Sequence, residues 1–573
     1  MDRQPPRATS NEIDLYIRTY YSLLRSSGDV RVRAFEEAHA YSDSSLHAGA
    51  RDPVPDVAAF AYAAARLPGC MPGIERIVIG PSNEHFEAQG LAVRSWETVA
   101  TRGRRRPLRW DGKATLAVYV SSASDIDDLV PMITAWQIEW NKMHSILERS
   151  AERELLLTHA SADALAPALQ TSLGISADDI GVLRGAFAED FATAVAALAD
   201  RPSDLTVRLL AGTLREYRRA SQRWWSGIEP EYTRPAGRAR PVYFVSSNTH
   251  ALPNLLAGYA RAHRDDMLAW IRKHDPEALA DDVAHAIERG DDDELANLSY
   301  YLLRQSLRID PDAKRHATVQ AWDEESGVKT LRDPGQLDVA AQLVELARLK
   351  PERLDPRVRV DDVERLAESD AVIVNIDYPL GMAAYHHLTR LAEGVGEIRG
   401  VYVMGKAATL NARVGDVMIS TVGYDEHSQN TYLFRNCFAA GDVQPWVRST
   451  VLDNQKALTV RGSFLQNREY MQVFYREGYT VLEMETGPYL SAIYELVHPK
   501  RHPTDEIVHL SNLVPFDFGL LHYASDTPYS RRQTLLSKSL SYFGMDSTYG
   551  CAIAIMRRIL ATEVARLGGA GVP

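Results

Sequence analysis

The sequence predicts an α/β protein, and three observations carry that reading. A short apolar strand running into a Ser/Asn-rich turn and then a helical pattern occurs three times. The instances are residues 77–79 into Gly80-Pro81-Ser82-Asn83, 116–120 into Ser121-Ser122-Ala123-Ser124, and 242–245 into Ser246-Ser247-Asn248. Residues 371–376 form a continuous apolar run of the kind buried on both faces of a sheet. From Asp370 onward the order is strand, turn, helix, strand, small-residue loop, strand, which is an α/β sheet with binding loops at its strand ends.

Along the chain, residues 13–66 read as helices broken by polar turns. The Ser and Asn residues that end the three early strands suit helix N-caps, because their side-chain oxygens accept the first orphan N–H groups. The same termini can bind anions, with capping the first reading. Ser176-Ala177-Asp178-Asp179 resembles a capping box, and Ile180, Leu183, Phe187, Phe191, Val195 and Leu198 follow at helical spacing as a core stripe. Another helix is expected from about Leu205 to Trp224-Trp225. Residues 275–365 read as acidic, helical and proline-punctuated, with Asp291-Asp292-Asp293-Glu294 as a solvated loop or helix start. The stretch 349–359, with Pro351 and Pro356, is the expected boundary. It divides an N-terminal α/β and helical region over 1–365, which can lend the first strand to the later sheet, from a C-terminal domain over 366–573. No repeat is strong enough for a solenoid.

Composition narrows the function. Of 573 residues, 45% are hydrophobic and 24% charged, ordinary for a soluble globular chain. A net charge of −12 offers no global basic field for nucleic acid. The basic run Arg102, Arg104, Arg105, Arg106, Arg109 reads as a solvated loop, with phosphate binding as the alternative. Cys70, Cys437 and Cys551 are too scattered for a disulfide framework or a zinc pattern. No basic-then-apolar leader opens the sequence and no run of about 18 apolar residues occurs, so a cytoplasmic protein without a membrane partner is expected. His386 and His387 are adjacent and point apart on a helix, and no other set has metal-ligand spacing, so neither metal nor cofactor is expected.

Three motifs then occur in order. The first is VIVNIDYPLGMAAYHHL from Val372, followed by GVYVMGKAATLNARVGDVMIST from Gly400. The second is Val481-Leu482-Glu483-Met484-Glu485-Thr486, and the third is an apolar strand ending in Ala524-Ser525-Asp526. Over residues 368–562 this series resembles the purine nucleoside phosphorylase and nucleosidase superfamily: its turn, helix and small-residue loop before GDV[VM]IS, its V-E-M-E segment and its S-D. Asp425-Glu426-His427 is similar to the D-[DE]-H of AMP nucleosidase. The resemblance implies a three-layer α/β/α phosphorylase-like domain with a mixed central sheet, acting as a homo-oligomer on the N-glycosidic bond of a purine nucleoside or nucleotide.

The chemistry asks for two carboxylates. Departure of the base leaves an oxocarbenium-like sugar, which a carboxylate holding both sugar hydroxyls positions and stabilises. The departing purine needs a proton at N7, which a carboxylic acid can supply. By resemblance Glu485 takes the first role, with Glu483 beside it and Met484 under the sugar, and Asp526 takes the second, with Ser525 beside it. Without the context, two glutamates on a surface helix and a capping Ser-Asp pair are the plain readings.

Lys406 follows the loop glycine Gly405 and precedes Ala407, where water or phosphate meets the anomeric carbon by resemblance. A lysine that faces solvent is the alternative. Tyr470, eight residues after Gly462, is the candidate for stacking on the base, with ordinary packing as its alternative. His522 stands where the methylthioadenosine enzymes carry an arginine, and His427, Arg435 and the N-terminal arginines are all candidates for holding a 5′-phosphate. Departures from the family are Ala408 and Thr409 for loop glycines, and Val403 for the phosphate-binding arginine of hexameric phosphorylases. The water-activating glutamate has no match; a candidate for its strand is 242–245, with Asn248 and His250 beyond. Three functions stay open: hydrolysis like that of AMP nucleosidase, phosphorolysis with inorganic phosphate as second substrate, and non-catalytic nucleotide sensing on the same fold.

Overall fold

Two β-sheets organise the chain in a computed structural model, which describes residues 11–569 except 27, 102, 104–106, 159, 234–236, 276–278, 310–312, 338, 499–501, 512 and 528–543. Arg102, Arg104, Arg105 and Arg106 of the basic run lie outside the described residues.

The first sheet contains β1 (Val30–Arg31), β2 (Arg76–Gly80), β3 (Glu97–Val99), β4 (Leu108–Trp110), β5 (Thr115–Tyr119) and β6 (Thr206–Leu209), in the order β1-β6-β2-β5-β4-β3. The central strands β2, β5 and β6 are parallel. Each strand–turn–helix unit forms as the sequence indicates. β2 leads to the helix Asn83–Glu87, and β5 to the helix Ala123–Leu147, whose first turn is tied back by Asp125, its carboxylate accepting from Ser122 N at 3.0 Å. That helix is buried along nearly its whole length, and Trp136 stacks between Phe60 and Trp140.

The Ser176–Asp179 capping box is present, and the stripe from Ile180 to Leu198 lies in the same core. It is carried by two helices, Ala177–Phe187 and Phe191–Asp200, because the chain turns at Ala188 with φ 48°. The helix expected from Leu205 begins later. Residues 206–209 are strand β6, inserted between β1 and β2, and the helix runs Leu214–Thr233, past the tryptophan pair. Two open strand edges outweigh the weak helical preference of Thr206-Val207.

The second sheet has eleven strands. They are β7 (Pro241–Ser247), β8 (Val328–Leu331), β9 (Ala341–Glu345), β10 (Val372–Asp377), β11 (Glu397–Thr409), β12 (Val417–Asp425), β13 (Asn430–Leu433), β14 (Val451–Thr459), β15 (Tyr479–Glu483), β16 (Ile507–His509) and β17 (Asp517–Asp526). The order is β16-β13-β12-β14-β15-β11-β7-β10-β9-β8, with β17 pairing both β11 and β12. The pairings are mixed: β7, β10 and β11 run parallel, while β9 is antiparallel to β10. The stretch 275–365, expected to be helical, thus contributes the antiparallel hairpin β8–β9 as well as helices. Buried, β-rich Ala341-Gln342-Leu343-Val344 and a left-handed Gly335 in the connection account for it. Helices Ala251–Leu256, Asp292–Ile309 and Met545–Leu567 cover one face; Met382–Gly394 and Thr486–Val497 cover the other, making three layers.

One end of this sheet curls shut. β11 pairs β17, β17 pairs β12, β12 pairs β14, β14 pairs β15 and β15 returns to β11, a closed ring of five strands. An eight-stranded barrel just accommodates ordinary side chains inside. The smaller ring is filled chiefly by alanines: Ala407, Ala412, Ala457 and Ala524, with Met418 and Val481. Among the described residues no helix is long and apolar enough to cross a membrane.

Candidate active site

β11 continues to Thr409, so the small residues 405–409, expected as a loop, are strand. β17 pairs with β11 from Gly400 to Ala408 on one edge and keeps the segment extended. The other edge changes partner. β7 leaves after Val403↔Ser246, and antiparallel β15 arrives only at Ala408↔Leu482. On that edge residues 404–407 have no strand partner, and the chain ends of β7 and β15 diverge around them. A crevice where strands part at the end of an α/β sheet is where such folds place ligands.

β15 delivers Glu483 and, just beyond it, Met484 and Glu485. The buried Glu483 accepts from Thr459 Oγ1 at 2.5 Å and from the N–H groups of Glu485 and Thr486 at 2.6 Å each. Its oxygens therefore cap the helix Thr486–Val497 and fix the Glu485 backbone. Burial, then the adjacent Glu485 charge, raises its pKa. Glu485 is half-buried; Oε1 accepts from Gly381 N at 3.0 Å and Oε2 from Met484 N at 3.3 Å.

Gly381 has φ 52°, and a Cβ there would overlap the Ser124 hydroxyl. That hydroxyl accepts from Met382 N at 2.9 Å, and Ser122 Oγ donates to Leu380 O at 3.4 Å. The start of the long helix on the first sheet thereby fixes the turn that donates to Glu485. Met484 is buried in an apolar cluster with Tyr424, Leu458, Met471, Phe474 and Leu482, and Tyr470 packs against the same cluster.

β17 delivers Ser525 and Asp526 through a β-bulge: Ala407 pairs Ala524, Ala408 pairs Asp526, and Ser525 is the extra residue. A bulge re-aims the side chains that follow it, and bulges concentrate beside active sites. Ser525 Oγ lies 3.2 Å from Ala407 O and 3.3 Å from Asp526 Oδ2. Asp526 Oδ1 is buried and has no hydrogen-bond partner among the described residues. β15 and β17 flank β11 on opposite edges, so Glu485 and Asp526 reach the end of β11 from its two sides.

The remaining sequence candidates separate. Gly405 sits beside Tyr378 and His522, whose nearest ring atoms lie 3.7 and 4.0 Å from where its Cβ would be. His522 is buried within the sheet, paired with Gly405 and Met418; burial lowers its pKa to about 4, and its Nδ1 lacks a partner among the described residues. Strand alternation puts the exposed Lys406 on the face of Tyr402 and Met404, opposite Gly405 and Ala407. His427 lies beyond β12; its N–H donates to Asp425 Oδ1 at 3.1 Å and its Nε2 is buried without a partner among the described residues. Burial lowers its pKa against the opposing Asp425 charge.

Next to His427, Glu426 is pushed up to about 8 by burial and accepts from Arg461 N at 3.0 Å. Arg461 Nη2 donates to Asp127 Oδ2 of the first sheet's long helix at 3.2 Å, and Asp127 Oδ1 also accepts from Tyr20 at 2.5 Å. Sequence reasoning missed Ser124, Gly381, Thr459 and Arg461. Arg461 and Asp127 are 334 residues apart, so no local spacing links them.

The chain belongs to the family of unknown function DUF6909. The family model matches residues 32–561. No curated protein matches the chain. Among solved structures, the chain is similar to 5′-methylthioadenosine/S-adenosylhomocysteine nucleosidase from Neisseria meningitidis in complex with methylthio-immucillin-A, at 10% identity over 56% of this chain and 99% of that one, with a TM-score of 0.30. It is similar to S-adenosylhomocysteine nucleosidase from Streptococcus pyogenes in complex with 5-methylthiotubericidin, at 8% identity over 56% and 99%, with a TM-score of 0.31. A third is isoform 2 of uridine phosphorylase from Schistosoma mansoni in complex with citrate, at 12% identity over 35% and 75%, with a TM-score of 0.23.

Proposed function

We propose that this chain cleaves the N-glycosidic bond of a purine nucleoside or nucleotide by hydrolysis. The observation that carries the reading is the bulge at the end of β17, which holds a buried Asp526 oxygen without a partner among the described residues, across β11 from Glu485. In this reading Asp526 delivers the proton that reaches N7 of the departing base, so the base leaves neutral. Glu485, held by the Gly381 amide and by the backbone that Glu483 caps, accepts both sugar hydroxyls and stabilises the developing positive charge. Met484 packs under the sugar and Tyr470 stacks on the base. Gly405 and Ala407 let the sugar approach the unpaired edge of β11, with Lys406 at its rim. Water attacks the anomeric carbon as the glycosidic C–N bond breaks, giving free base and sugar or sugar phosphate.

Purified protein incubated with purine nucleosides and nucleotides, with and without inorganic phosphate, tests the proposal. Free base appearing without phosphate is the expected result. A sugar 1-phosphate formed only with phosphate means phosphorolysis, and binding without base release means a sensor; either overturns hydrolysis.

A further inference from the structure

The turn that donates to Glu485 lacks a cap of its own. Leu380-Gly381-Met382-Ala383 is a tight turn closed by Ala383 N, which donates to Leu380 O at 3.0 Å. Gly381 has φ 52° and ψ −120°, the first central position of a type II′ turn, which glycine occupies without strain. The helix Met382–Gly394 starts there, and a helix start leaves its first N–H groups without partners in the helix. The usual remedy is a Ser, Thr, Asp or Asn side chain at the cap position. Here that position is Gly381, which has no side chain.

The missing cap comes from the long helix Ala123–Leu147 of the first sheet. Ser124 Oγ accepts from Met382 N at 2.9 Å although the two residues stand 258 apart in sequence. Ser124 is fully buried, as is Ser122 at the start of the same helix, which holds Leu380 O. With Met382 N taken by Ser124, the next N–H of the turn, that of Gly381, is the one that reaches Glu485 Oε1 at 3.0 Å. The fit is close on both sides: a Cβ at Gly381 would overlap Ser124 Oγ and come within 3.5 Å of Met484 O. The turn is wedged between the serine and the Glu-Met-Glu segment. The same part of the chain grips the helix that carries Tyr470. Asn467 caps that helix, Arg468–Arg476, by accepting from Glu469 N at 2.9 Å and Tyr470 N at 3.3 Å, and its Nδ2 donates to Ser42 O at 3.2 Å.

We propose that Ser124 is a positioning residue for glycosidic cleavage: it caps the helix Met382–Gly394 from the other sheet and so aims the Gly381 amide at Glu485. The inference rests on the reading of Glu485 as the carboxylate that holds the sugar hydroxyls. Ser124 acts through Gly381 and not on the substrate. Without its hydroxyl, Met382 N loses its acceptor, and an unmet donor is relieved when the backbone moves toward another. Gly381 N moves with it, and one oxygen of Glu485 loses a donor that orients it. The carboxylate then meets the 2′-hydroxyl less squarely. The chemistry and its support thus sit on different sheets.

Steady-state base release by the full chain from a purine riboside and its 2′-deoxyriboside is the experiment. Ser124→Ala is expected to lower kcat/KM for the riboside about fivefold more than for the deoxyriboside, the size of a lost helix cap and in the same direction as Glu485→Gln. A general loosening of the fold lowers both alike. Thr134→Ala removes another buried hydroxyl of the same helix, one bonded to Val130 O, and is expected to leave the ratio unchanged. If Glu485→Gln shows the riboside-selective loss and Ser124→Ala does not, or if Thr134→Ala shifts the ratio as much as Ser124→Ala, the positioning role is wrong and the reading of Glu485 stands. If wild type releases no base, or Glu485→Gln shows no selective loss, the reading of Glu485 is wrong and the inference falls with it. Should Ser124→Ala fail to fold by circular dichroism, Ser124→Cys, whose sulfur is a weak acceptor of similar shape, takes its place with the same expected outcome.

Discussion

Two clusters of buried polar groups, one beside each sheet, are satisfied to different degrees. Beside the first sheet, the fully buried Glu139 accepts from Lys142 Nζ at 2.6 Å and Asp56 N at 2.6 Å, and lies 2.7 Å from His47 Nε2. His47 Nδ1 lies 2.8 Å from His39 Nε2, and His39 Nδ1 lies 3.2 Å from the Tyr16 hydroxyl, which donates to Thr134 at 3.3 Å. Each member of that chain has a partner. Among the described residues, Asp526 Oδ1 and Asn248 Nδ2 at strand ends of the second sheet, His427 Nε2 beyond β12 and His522 Nδ1 within β17 are buried without one. Burial of titratable groups therefore does not by itself separate a site from a scaffold. A satisfied network specifies packing, while a cluster of unsatisfied groups calls for an explanation such as a ligand.

Four substitutions sharpen or break this contrast, beginning with the largest effect. Asp526→Asn is expected to lower base release by about 10²–10⁴-fold while the protein still melts like wild type, since among the described residues Oδ1 has no partner to lose. Turnover close to wild type in steady-state assays would place the proton donor elsewhere. Glu139→Ala should do the reverse: a loss of about 3–5 kcal/mol in urea unfolding, because Lys142 and His47 lose their shared acceptor, with turnover per folded molecule unchanged. A loss below about 1 kcal/mol would mean the closed network is not structural.

Glu485→Gln is expected to cost roughly tenfold more with a riboside than with the matched 2′-deoxyriboside, as a charged hydrogen bond is worth about 1.5–3 kcal/mol. Equal losses on the two substrates would remove Glu485 from the 2′-hydroxyl. The smallest effect belongs to Glu426, whose pKa is raised from 4.5 to about 8 by burial. A carboxyl raised on folding stabilises fully below about 4.5, and this contribution is lost as the pH climbs through about 8. Glu426→Gln should therefore flatten the fall in melting temperature across that window, by on the order of 2 °C. An unchanged profile would show that Glu426 ionises normally.

Much of this was legible in the sequence, for physical reasons that differ by residue. The strand–turn–helix units at β2 and β5 read clearly because apolar β-branched runs and capping serines are local signals. Residues 206–209 and 405–409 were misread for one reason: whether they are extended depends on distant strand edges, not on their own composition. The carboxylates Glu485 and Asp526 were visible as motif residues. Gly381, Ser124 and Arg461 were not, since each acts through a contact between segments far apart in sequence.

The pairing of β7 has a consequence for how the chain reaches this structure. β7 is made at residues 241–247, but its partners are β10 at 372–377 and β11 at 397–409. During synthesis this apolar strand stands with both edges unpaired while more than a hundred residues emerge behind it. Contacts so distant in sequence slow folding, and a bare strand edge is where intermediates aggregate. The five-stranded ring adds a further delay, for it closes only when β17, at 517–526, joins β11 to β12. The first sheet draws all its strands from residues 30–209 and can assemble long before. Refolding from denaturant should accordingly show an early phase reporting Trp136 and Trp140, and a later one that restores base release.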